Sequence, residues 1–174
     1  MSINSWTGVA AYEDVARAIV ISADTDQGTA ATRVLELAGC RTRGHIQFHD
    51  AANDMSHFDG LDLILIEAAA ASDALLDTVL ARADALARER SVAIVASIAP
   101  DQIDIAAAQL LGHRTQILVD PSDAERFSAV SAAKWLARGK LNDVGRDAET
   151  ERLHRLNEEV ARIAAKLGAP DPNR

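Results

Sequence analysis

Five polar residues stand where short aliphatic runs end: Ser22 and Asp24, then Glu67, Ser97 and Asp120. Carboxylate oxygens bind hard cations, and hydroxyls bond to carboxylates or to anions. Brought together, these groups could form one acidic, oxygen-rich site. Each also has a simpler use. Asp24 and Asp26 can cap a helix starting near Gly28, Ser97 and Asp120 can cap turns before Pro100 and Pro121, and Glu67 can meet solvent at a strand end. His49, Asn53 or Asp54, and His57 are spaced to share a helical face, as metal ligands or as a plain solvent-facing surface. His45, His113 and His154 show no partner pattern. No P-loop or dinucleotide fingerprint follows the first aliphatic run. The stretch Asp24-Thr25-Asp26-Gln27-Gly28 lacks the downstream glutamate of a calcium loop. Cys40 has no nearby base and reads as a structural thiol.

The runs 18–21, 63–66, 92–95 and 116–119 are continuously aliphatic, as strands buried on both faces require. The stretch 43–48 is a weaker strand, with Ile46 and Phe48 alternating with polar residues. Helical spacing fills the gaps. It covers 29–37, ending at Gly39, and 72–87 with Leu75, Leu76, Val79, Leu80, Ala83 and Leu86. It covers 101–111, behind Pro100 and stopped by Gly112. A last helix, capped by Ser122 or Asp123, runs to about 137. Strand and helix alternate throughout, which predicts an α/β fold with a five-stranded, doubly wound parallel sheet. In such sheets, chemistry sits at the carboxyl edge, where the five polar residues fall.

That layout resembles the receiver domain of bacterial response regulators. In that family two acidic residues hold Mg²⁺, an aspartate accepts phosphate, a Thr or Ser follows, and a Lys-Pro pair completes the set. The resemblance covers about residues 17–137, and the intervals from Ala23 to Glu67 and on to Ser97 match the family's own. The run Asp62-Leu63-Ile64-Leu65-Ile66-Glu67 resembles the strand that ends in the acceptor. The departures matter equally. Ser22 and Ala23 replace the acidic pair, Glu67 the acceptor aspartate, Asp120 the lysine, and Ile117 the gating aromatic. Phosphoryl transfer depends on positioning and on neutralising charge. A pocket without metal ligands or lysine is therefore expected to have lost it, with Glu67 and Asp120 repelling a phosphoryl donor. Shifting the first strand by one or two residues would put Asp24 and Asp26 in the acidic-pair role, without restoring the lysine. The layout also faintly resembles the regulatory front half of winged-helix transcription regulators.

After residue 138 the character changes. Two glycines among polar residues mark a linker at 138–145, so the expected division is a receiver-like domain over 1–138 and a linker with a dimerisation helix over 139–174. Leu153, Leu156, Val160, Ile163 and Leu167 follow one another at alternating three- and four-residue steps, as the a and d positions of a coiled-coil heptad do. Glu151 with Arg155 and Glu158 with Arg162 stand in the favourable acid-first order. This stripe is expected to pair two chains, or else to pack on its own domain.

Composition narrows the function classes. Aromatics are 3% of the chain, so the core must be aliphatic. A formal charge of −8 argues against broad capture of nucleic acid or anionic membrane by this segment. One cysteine, no signal peptide and no apolar run of membrane-spanning length predict a cytoplasmic protein. The expected function is a phosphorylation-independent signalling and dimerisation module, not an enzyme. It needs no cofactor or metal, and would regulate transcription through an output domain outside this sequence. The alternatives are a free-standing adaptor that binds a kinase or regulator, and a small α/β enzyme of unknown reaction.

Overall fold

The structure is a computed structural model, and it describes residues 15–137, 153–160 and 162–163, leaving aside the side chain of His57. The chain divides into two units, Met1–Arg138 and Gly139–Arg174.

In the first unit the aliphatic runs form strands β1 (Arg17–Ser22), β3 (Leu63–Glu67), β4 (Ala93–Ile98) and β5 (Thr115–Val119). The fifth strand, β2, is Arg41–Gln47. All pair in parallel, in the order β2-β1-β3-β4-β5. The helices are α1 (Thr25–Leu37), α2 (Phe48–Asn53), α3 (Asp73–Arg90), α4 (Ile103–Gln109) and α5 (Asp123–Ala137). Strand order reverses beside β1, so the carboxyl ends of β1 and β3 flank the crevice where such sheets hold ligands.

Side chains alternate across the sheet and feed two cores. Ile19, Ile21, Ile64, Ile66 and Ile94 meet Phe48 and the α3 residues Leu76, Val79, Leu80 and Ala83. On the other face, Val20, Leu65 and Val95 meet Val34 and Leu35 of α1 and Val130 and Ala133 of α5. Cys40 is buried in this second core.

Several elements differ from their expected bounds. β2 starts two residues earlier than its pattern suggested and stops at Gln47. Phe48 is not its last residue but the first of α2, where its ring is buried in the core. Position 44 carries a glycine at φ +99°, which breaks the strand's period. α1 begins at Thr25, ahead of Gly28, because Asp24 caps it. The helix expected over 101–111 is a 3₁₀ turn, Pro100–Gln102, followed by the short α4. Its end is set by Asp84, a buried carboxylate of α3 that accepts from the amides of Leu111 and Gly112 at 3.0 and 2.9 Å. Ser122 and Glu125 cap α5 reciprocally: the Glu125 amide donates to Ser122 Oγ, and the Ser122 amide to Glu125 Oε2. The Ser122 amide and then its hydroxyl, both donating to Oε2, hold the Glu125 carboxyl below the usual carboxylate range.

In the second unit, residues 153–160 and 162–163 are helical. Leu153, Leu156, Val160 and Ile163 are 45–58% exposed. Leu167, the remaining member of the stripe, lies outside the described residues. No described helix is long and apolar enough to cross a membrane.

Candidate functional site

Parallel register brings Ser22, Glu67 and Ser97 side by side, since Ser22 pairs with Glu67 and Glu67 with Ser97 across neighbouring strand ends. All three are buried, Glu67 to 3% exposure. Glu67 is therefore no solvent contact, and Ser97 is a strand residue, not a turn cap.

The Glu67 carboxylate is fully engaged. Ser97 Oγ donates to its Oε1 at 3.0 Å. Arg126, from the first turn of α5, grips both oxygens, with Nε to Oε1 at 2.9 Å and Nη2 to Oε2 at 3.2 Å. The third guanidinium nitrogen, Nη1, donates to Pro121 O at 2.9 Å and to Asp123 Oδ1 at 3.1 Å. This is a bidentate fork, the geometry in which arginine holds a carboxylate best. Its guanidinium places a positive charge directly on the buried Glu67 carboxylate.

Ser22 is committed elsewhere. Its hydroxyl donates to the Asp24 carbonyl, so His45 Nε2, 2.8 Å away, is the donor to Ser22 Oγ. His45 thus has a partner after all. It reaches across Gly28, where any Cβ would collide with the imidazole. Ala23 packs at the edge of the core. Asp24 spends Oδ1 on the amides of Asp26 and Gln27 at 2.7 and 3.1 Å, the α1 cap. Asp26 is exposed.

Asp120, the residue after β5, stands at φ +44°, a left-handed conformation that Asp tolerates better than most residues. It is exposed, and its amide donates to Ile98 O at 3.0 Å. The acidic neighbour acting on Glu67 is Asp123, and Arg126 bonds to both carboxylates. Gln102, also buried, braces the adjoining loops by donating to Ala68 O at 2.9 Å and accepting from the Ala99 amide at 2.9 Å.

The pocket does not fit a divalent cation. Ser22 and Ala23 offer no carboxylate, one Asp24 oxygen caps α1, and both Glu67 oxygens face a guanidinium. Among the described residues no three His, Cys, Asp or Glu side chains group as a metal site. At the other candidate place, His49 pairs with Asn53 at 3.3 Å. Asp54 holds the amide and hydroxyl of Ser56.

Burial pushes the Glu67 carboxyl above its ordinary value. Arg126 pulls it back by hydrogen bond and charge, Ser97 pulls less, and Asp123 pushes slightly upward. The folded state therefore holds this proton to higher pH than the unfolded chain. Its contribution to stability is fully present below about pH 4.3, the unfolded value, and is lost as pH rises through the folded value. The stability of the wild type minus that of Glu67→Gln should be most favourable to the wild type near pH 4 and shrink toward neutrality. Urea unfolding at several pH values checks this, and a difference that grows with pH would contradict it.

Neither sequence pattern nor spacing had singled out Arg126. The one available signal is its place three residues into a helix that starts beside the carboxyl edge, just after Pro121.

The parallel order β2-β1-β3-β4-β5 is that of the receiver fold, which shares it with flavodoxin. No protein-family model matches the sequence, and no curated protein matches it. Solved structures share the fold at low identity. A response regulator receiver protein from Sinorhizobium medicae aligns with a TM-score of 0.52 and 13% identity, over 71% of this chain and 97% of that one. A receiver domain protein from Clostridium thermocellum gives 0.51 and 15%, over 73% and 98%. A pilus assembly-related protein from Burkholderia pseudomallei gives 0.53 and 18%, over 71% and 92%.

Proposed function

We propose that this chain is a phosphorylation-independent signalling module: a degenerate receiver whose acceptor pocket is occupied by its own arginine. The observation that carries the reading is the Arg126–Glu67–Ser97 cluster. An acceptor carboxylate must be free to attack phosphorus, with cations placed to neutralise the transferred group. Here both carboxylate oxygens are already bonded, and the cation is covalently part of the chain. Ser97, bonded to Glu67, is held as an acceptor phosphate would hold it, which makes the pocket permanently set. The exposed a/d stripe at Leu153, Leu156, Val160 and Ile163 supports pairing with a second copy. Two chains joined that way would present an output domain, outside this sequence, in duplicate, as a transcription regulator requires. The chain performs no catalysis in this reading and makes no nucleic-acid contact of its own.

A free-standing adaptor that binds a partner regulator is the second reading. It is favoured by the occurrence of the same fold in a pilus assembly-related protein.

Incubating the protein with acetyl phosphate and Mg²⁺, then measuring intact mass, tests the first claim. The expected spectrum is unchanged. A Mg²⁺-dependent phosphoryl adduct at Glu67 would overturn it.

A further inference from the structure

At the amino ends of β4 and β5, away from the pocket, lies a cleft of about 280 Å³. Its lining includes Ala87 and Val92, the two arginines Arg88 and Arg114, and His113. In a chain of net charge −8, an opening with no acidic lining residue departs from the composition around it.

Both guanidiniums are pre-positioned. Asp84, only 1% exposed, forms an ion pair with Arg88 (Oδ2 to Nε, 2.8 Å) by charge and not by a hydrogen bond, while its other oxygen accepts from the amides of Leu111 and Gly112 on the facing loop. Arg114 Nη1 donates to Ser91 O at 3.0 Å, and Ser91 itself stands at φ +59°, a strained turn for a residue with a side chain. Each arginine therefore has one side anchored by protein, and its remaining N–H groups have no partner among the described residues. Anchoring removes much of the ordering cost that makes exposed arginines poor ligands for anions. Two forked cations about a small cleft suit a tetrahedral dianion better than a single carboxylate. The volume lies just below that of typical organic-ligand pockets, which suits a headgroup more than a large cofactor.

We propose that this cleft binds phosphate or the headgroup of a small phosphomonoester. It is a second site, independent of the occupied acceptor pocket. The test is titration of the full chain with inorganic phosphate at constant ionic strength, following amide shifts of Gly112, His113 and Arg114. A saturable response is expected, well beyond that to acetate. Glycerol phosphate in a parallel titration distinguishes the ester headgroup from the free anion. Arg114→Gln, which leaves the Arg88–Asp84 pair intact, should weaken binding roughly tenfold by removing charge-assisted bonds. Arg88→Gln with Arg114→Gln should abolish it, and Arg41→Gln should change nothing. A response that is non-saturable, equal to acetate, or unaffected by Arg114→Gln would overturn the proposal.

Discussion

Arg126→Ala should destabilise the protein by about 3 kcal/mol or more at neutral pH, because it leaves a buried carboxylate without its cation. Glu67 is 3% exposed and Arg126 only 22% exposed at the side chain, so solvent does little to screen the pair. The geometry does not imply that the pair stabilises the fold in absolute terms. Burial already pushes the Glu67 carboxyl upward in spite of Arg126, the signature of a pair whose desolvation is not fully offset by its attraction. Removing one partner should therefore cost more than removing both. Glu67→Leu with Arg126→Met should recover most of the loss, since it replaces an ion pair with apolar side chains of similar volume. In Arg126→Ala, Glu67 escapes part of the penalty by binding a proton, so the defect should shrink as pH falls. Urea unfolding of wild type, single and double variants provides the comparison. A single variant within about 0.5 kcal/mol of wild type, the range of ordinary surface changes, would mean that Arg126 is a surface contact only. A double variant as unstable as the single would mean that charge is not the cause.

The second large effect concerns the helix of the other unit. Leu156→Glu with Ile163→Glu should cost several kcal/mol of association, because like charges would face each other across an apolar seam. Leu153, Leu156, Val160 and Ile163 are all exposed in the single chain, although together they carry the a and d positions of the heptad. Exposed apolar stripes of that spacing are what a second helix covers. The described part of the helix is short, and isolated helices of this length are marginal in water. The pair should therefore form cooperatively with its own helix, so the substitutions should lower helicity and dimer population together. A variant that dimerises as well as wild type would assign the stripe another role.

Much of the fold was legible in the sequence because buried parallel strands need continuous aliphatic runs. The runs ending at Ser22, Glu67 and the edge of β5 have no other ready explanation. β2 was harder. It is an edge strand with partly exposed residues, and Gly44 interrupts its alternation, so the aromatic at Phe48 drew the boundary one residue too far. α4 was overextended because Leu110 and Leu111 continue the apolar pattern. The chain turns away there because Asp84 captures the next amides. The site divides in the same way. Ser22, Glu67 and Ser97 could be aligned from spacing, since parallel register follows strand ends. Arg126 acts on a residue 59 positions away in the chain, and His45 on one 23 away. Those contacts depend on packing between elements, which periodicity does not encode.

Sedimentation of the wild type at micromolar concentration, with and without acetyl phosphate and Mg²⁺, bears most directly on the central claim. The expected result is a homodimer whose dissociation constant is the same in both conditions. A monomer in both, or a dimer whose affinity changes when the phosphoryl donor and Mg²⁺ are added together, would contradict a receiver that signals without phosphorylation.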